Sequence, residues 1–115
     1  MTSFKLELQK LPSSNEAFTV FQAKGKLSLE TVNEFIQTLR PDPSPGIVLD
    51  MSGVSFLDSA GVGSLVSLFV SRRNHGKTFA LASLTSQSSA VVAVAGLQKL
   101  LPIYKSIDEA IGEKP

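Results

Sequence analysis

The stretch from Ile47 to Gly63, IVLDMSGVSFLDSAGVG, constrains the fold more than any other part of the chain. It opens with apolar residues around Asp50, the composition of a short buried strand. It closes with Asp58-Ser59-Ala60-Gly61 running into a strongly apolar helical pattern. Ser59 is thereby placed at a helix start. The first N–H groups of a helix lack internal partners, and together with the helix dipole they favour an anion. Asp58 and Ser59 are both good N-cap residues, so one of them is expected to cap this helix.

The flanking segments supply the other elements. Phe4, Leu6 and Leu8 alternate with Lys5, Glu7 and Gln9, the period of a strand with one wet face. Pro12-Ser13-Ser14-Asn15 provides a turn and Phe18 to Ala23 a second strand, so the chain opens as a hairpin. Gly25 to Ser28 makes the next transition, with Ser28 as N-cap of a helix carrying Leu29, Val32, Ile36 and Leu39 at offsets of three and four. Phe35 widens that stripe. The proline-rich run from Arg40 to Gly46 must end it, since proline lacks a donor and disfavours helix before it.

The helix beginning at Ser59 is expected to reach about Arg73. Val62, Leu65, Val66 and Phe69 form its core-facing stripe, while Gly63, Ser67, Ser71 and Asn74 trace a small, polar face continuous with the turn. That face is a candidate docking surface. His75-Gly76-Lys77 ends the helix. Phe79 to Ala82 then reads as a strand, Thr85-Ser86 as caps of a helix running to Gly96, Ile103-Tyr104 as a last short strand, and Asp108 to Gly112 as a terminal helical turn. The order β-β-α-β-α-β-α-β-α predicts an α/β domain with a mixed sheet. Within the third helix, Ala90 to Ala95 leave almost no polar face. Complete burial is difficult in a domain this small, so an exposed apolar patch is expected there, used for a homodimer or for a partner.

Composition removes several function classes. At 115 residues the chain is expected to form one domain, residues 1–115, and 43% hydrophobic residues suffice for a core. A net charge of +1 with scattered basic residues gives no electrostatic footprint for nucleic acid. Cysteine is absent, which excludes disulfides, thiolate metal sites and thiol catalysis. Met1 to Leu11 is too charged for a signal peptide, and the longest apolar run, Leu65 to Val70, is far short of a membrane span. The expected setting is soluble and cytoplasmic.

Candidate chemistries are few. A serine hydrolase needs a base beside its nucleophile, and the single histidine, His75, lies beyond the far end of the helix, on the order of 20 Å from Ser59. Gly76-Lys77-Thr78 mimics the end of a phosphate-binding loop, but Ser71 stands where its first glycine would be and Lys77 precedes a strand. Gly61-x-Gly63 lacks the third glycine of a dinucleotide fingerprint. Asp50 and Asp58 could in principle act as a carboxylate pair for acid-base or magnesium chemistry. The alternative is that Asp50 bonds to backbone or water while Asp58 supports the turn.

LDMSGVSFLDSAGVGSL, residues 49–65, resembles the signature of STAS domains, the fold named after sulphate transporters and anti-sigma-factor antagonists. Weaker similarity covers Ala23 to Leu27, Gly76-Lys77 and Ala95-Gly96-Leu97. The resemblance implies a small mixed sheet with helices mainly on one face. In the family's bacterial antagonists, the serine after the aspartate of the D-S-[AS]-G turn is phosphorylated by the partner, an anti-sigma factor that is itself a serine kinase. That serine corresponds to Ser59. A non-catalytic, cofactor-free and metal-free regulator of transcription is therefore implied, meeting its partner through Asp58, Ser59, Ala60, Gly61, Gly63 and Ser67. Ser28 departs from the pattern, since many antagonists carry an acidic residue there. An alternative is an interaction subunit of a lipid-transport complex or signalling scaffold, whose binding would be indifferent to phosphorylation.

Overall fold

The computed structural model describes residues 5–112. Its elements are β1 (Leu6–Leu11), β2 (Phe18–Leu27), α1 (Val32–Leu39), β3 (Gly46–Leu57), α2 (Ser59–Asn74), β4 (Thr78–Ala82), α3 (Ser86–Val94), β5 (Ile103–Tyr104) and α4 (Ile107–Ala110). The order is the one read from periodicity; Phe4 lies outside the described residues. The strands form one sheet in the order β1-β2-β3-β4-β5, with β1 antiparallel to β2 and every other pair parallel. It is a mixed sheet, as expected.

β3 is the axis of the domain. Its first six residues, Gly46 to Met51, are all buried, as a parallel strand covered on both faces must be. Alternation then sorts its side chains. Ile47, Leu49 and Met51 join Phe21, Ala23, Phe79 and Leu81 in the main core, against Phe35 and Leu39 of α1, Val62, Leu65 and Leu68 of α2, and Val92 of α3. Val48 belongs to a smaller core on the opposite face with Val20, Ala82 and Ile111, beside Ile107 and Ala110 of α4. Three helices thus cover one face and a single turn of helix the other.

Two expectations need correction. β3 is not short: it spans 12 residues, and β2 runs on through Gly25 to Leu27 beside it. Two register irregularities, between Gln22 and Lys24 and between Gly25 and Lys26, keep this turn-like segment within the ladder. Consequently α1 starts later, at Val32, with Thr31 and not Ser28 at the N-cap position. The Thr31 hydroxyl accepts from the Ser28 N–H at 3.0 Å and donates to the Lys26 carbonyl at 2.8 Å. Ser28 contributes its carbonyl to the N–H groups of Thr31 and Val32, while its own buried hydroxyl has no partner among the described residues. Leu29, counted in the apolar stripe, is 73% exposed.

Arg72 fastens the far end of α2. It is buried, and its Nε donates to the Thr78 carbonyl at 2.7 Å, Nη1 to that of Asp42 at 3.2 Å and Nη2 to that of Ser44 at 2.7 Å. One guanidinium therefore joins the helix, the start of β4 and the proline-rich loop before β3. Burial alone pushes the Asp42 carboxyl up, but the Ser44 hydroxyl and amide, the Thr19 hydroxyl and Lys10 together bring it below its ordinary value. The α2 stripe is rotated slightly from the one expected. Val62, Leu65, Leu68 and Arg72 are buried, whereas Val66 and Phe69 are half-buried.

Candidate functional site

β3 delivers the chain into the turn, and its last residue is held by a side chain of α3. Leu57 N–H donates to Gln87 Oε1 at 3.0 Å, and Gln87 Nε2 donates to the Leu57 carbonyl at 3.1 Å. The amide substitutes for a neighbouring strand where the ladder ends. Asp58 follows in extended conformation, φ −109° and ψ −175°, which is the geometry of an N-cap. Its Oδ1 accepts from Gly61 N–H at 2.8 Å and its Oδ2 from Leu29 N–H at 3.1 Å. One carboxylate therefore caps α2 and ties down the loop before α1.

Gly61 is buried because the turn packs directly on backbone. A Cβ at this position would lie 2.2 Å from the Leu27 carbonyl oxygen and 2.7 Å from a Leu57 methyl group. No residue but glycine fits without a shift. Gly61 therefore sits beneath the turn, while Ser59 is exposed and Ala60 half-buried at its surface.

Asp58 is the cap, which decides between the two candidates. Ser59 is left as the first helical residue, with its hydroxyl bonded to none of the described residues. The site thus presents an exposed, unengaged hydroxyl at the positive end of a 16-residue helix. Further along α2, Gly63, Ser67 and Asn74 are exposed and Ser71 half-buried, so the small polar face lies at the surface.

Ser59 also stands at the lip of an open groove of about 700 Å³ between α2 and α3. Val62, Gly63 and Val66 line one wall, and Val91 and Val94 the other. The α3 helix is buried only through residues such as Ser88 and Val92; Ala90, Ala93 and Ala95 are exposed and Val94 is 89% exposed. Its all-round apolar sequence therefore divides into a seam on the sheet and a bare outer face. Sequence reasoning anticipated that bare face but not the groove, which depends on how far apart the two helices pack.

The remaining candidates lie elsewhere. Asp50 accepts from Gln22 Nε2 at 3.1 Å and from Ser52 N–H at 3.0 Å within the sheet. Asp58 follows eight residues on, just past the end of the extended strand, on the order of 25 Å away at about 3.3 Å per residue. The two carboxylates do not converge. His75 lies past the C-terminus of α2, its Nδ1 2.8 Å from the Ser71 carbonyl. Gln87 and Arg72 were missed as organising residues, because all their partners but Thr78 are about thirty positions away in the chain and leave no local pattern.

Residues 9–110 match the STAS domain family. A Thermotoga neapolitana protein named as a homologue of the anti-sigma factor antagonist TM1081 is 33% identical over 67 residues, 58% of this chain and 59% of that protein. The match thus spans about three-fifths of the relative's length. The crystal structure of the Thermotoga maritima protein described as an anti-sigma factor antagonist superposes with a TM-score of 0.80 at 22% identity, covering 90% of this chain and 91% of that one. The murine anion transporter Slc26a9 contains the same fold at a TM-score of 0.73 and 21% identity, over 86% of this chain but only 18% of the transporter. Among the described residues no helix is long and apolar enough to cross a membrane.

Proposed function

The chain belongs to the STAS domain family and is homologous to anti-sigma-factor antagonists, and on that premise we propose that it is a non-catalytic switch controlled at Ser59. With a free hydroxyl, the turn and the exposed face of α2 bind an anti-sigma-factor kinase and so release the sigma factor. The partner transfers the γ-phosphoryl group of ATP to Ser59 Oγ, which loses its proton, and ADP leaves. The phosphorylated chain then dissociates.

One observation carries this reading. Asp58 uses both carboxylate oxygens on backbone N–H groups, so capping α2 does not occupy the Ser59 hydroxyl. Ser59 is thus accessible without unwinding the helix. A phosphate there adds roughly −1.5 to −2 charges beside the Asp58 carboxylate and on the lip of an apolar groove. The helix N-terminus accommodates that charge within the domain, whereas a closely fitted partner must desolvate it. The switch therefore acts on the interface. In this arrangement Ser59, Ala60, Gly63 and Ser67 meet the partner, while Asp58 and Gly61 hold the surface in place.

Binding of the anti-sigma-factor kinase by Ser59→Ala and Ser59→Asp variants tests the proposal. Ser59→Ala is expected to bind as the unmodified chain does, and Ser59→Asp at least tenfold more weakly, about 1.4 kcal/mol. Equal binding by both would overturn it. That result would favour the second reading, an interaction subunit of a lipid-transport complex or scaffold, for which the apolar groove speaks. Such a subunit would lose its partner on Val94→Asp but not on Ser59→Asp.

A further inference from the structure

At the other end of α2, Arg40, Ser71, Arg72, His75 and Lys77 line a second pocket of about 280 Å³. Its lining contains no carboxylate. The whole chain holds 11 Lys and Arg against 10 Asp and Glu, so three of those cations and the single histidine in one pocket are a local excess. Helix dipoles alone do not account for it. The ends of α1 and α2 each contribute about half a negative charge, roughly one in total, against three cations. The last carbonyls of α2 are in any case satisfied by backbone, Arg72 accepting from His75 and Lys77 N–H, and Arg73 from Gly76 N–H.

The pocket has a floor held by hydrogen bonds and a rim of cations that form no ion pair among the described residues. The Arg72 guanidinium is held by three carbonyls, and its nearby carboxylate, Asp42, also faces Lys10 at 3.8 Å and the Ser44 hydroxyl. Arg40 and Lys77 have no ion-pair partner among the described residues. His75 donates from Nδ1 to the Ser71 carbonyl, so Nε2 is the ring nitrogen left for a ligand. A planar guanidinium fork, an ammonium and a hydroxyl around so small a volume match the oxygens of a phosphate group.

We propose that this pocket is a binding site for a small soluble phosphate monoester, gripped by Arg40 and Lys77 above Arg72. The site is independent of the switch at Ser59. The intervening 16-residue helix is about 24 Å long, well beyond the Debye length of about 8 Å at physiological salt.

The test is an amide NMR titration of the full chain with glycerol 3-phosphate, ionic strength being held constant with sodium chloride. Saturable shifts confined to Arg40 and the segment from Ser71 to Lys77 are expected. The combined Arg40→Gln, Lys77→Gln variant should bind at least tenfold more weakly, and Ser59→Asp should bind unchanged. Arg40 is exposed and Lys77 half-buried, so the amide spectrum of the double variant should remain that of the folded chain. Absence of saturable shifts, or equal affinity in the double variant, would overturn the proposal. So would sedimentation with phosphatidylglycerol vesicles through the same two residues without binding of the soluble ester. A failed titration with an intact Ser59 switch would reject the pocket alone.

Discussion

The two flanks of α2 are built from opposite materials. The inner flank sets Leu65, Leu68 and Arg72 against the sheet and α1, and the Arg72 guanidinium there is spent on three carbonyls outside the helix. The outer flank sets Gly63, Ser67 and the Ser59 hydroxyl at the surface, beside an apolar groove that α3 leaves open. The division teaches how a small domain leaves a hydroxyl exposed and unengaged at a helix start. Asp58, Gly61 and Gln87 fix the turn from beneath, so no stabilising contact has to come from Ser59 itself. Substitutions on the inner flank should therefore move stability, and those on the outer flank should move binding.

The largest stability loss is expected for Arg72→Met, which keeps the apolar stem but strips three carbonyls of their donor. The loss should be on the order of 3 kcal/mol in chemical denaturation. A change near zero would mean that the β4 start and the proline-rich loop hold without it. Gly61→Ala comes next, at about 2 kcal/mol, because its methyl group must displace the Leu27 carbonyl or the Leu57 side chain. Asp58→Ala removes the cap of α2 and the tether of the Leu29 N–H, a loss of about 1–2 kcal/mol.

Gly63→Ala sharpens the contrast further. Nothing lies within 4 Å of a Cβ there, so the helix should gain up to about 1 kcal/mol. If the outer flank docks a partner closely, the same methyl group should weaken that complex. Higher thermal stability with lower affinity is the expected pair of results, and unaltered affinity would remove Gly63 from the interface.

The sequence made some of this legible and hid the rest for physical reasons. From Ile47 to Gly63, a change of period from strand to helix announces the central unit, and each later element has its own turn or cap residues. The extension of β2 through Gly25 was not visible, because a glycine between lysines looks like a turn until β3 supplies a ladder for it. Leu29 fits a helical stripe by spacing, yet Thr31 starts the helix two residues later. Gln87 acts through Leu57, and Arg72 largely through Asp42 and Ser44, partners about thirty positions away that leave no local pattern. At the candidate site, the sequence offered two possible caps, and the geometry of Asp58 leaves the neighbouring hydroxyl unengaged.

The most direct test of the central claim is the intact mass of the protein purified from its native cells, with any modified residue located by fragmentation. The account predicts a population carrying a single phosphate, placed on Ser59. An unmodified mass under every growth condition sampled, or a phosphate on another residue with Ser59 bare, would contradict it.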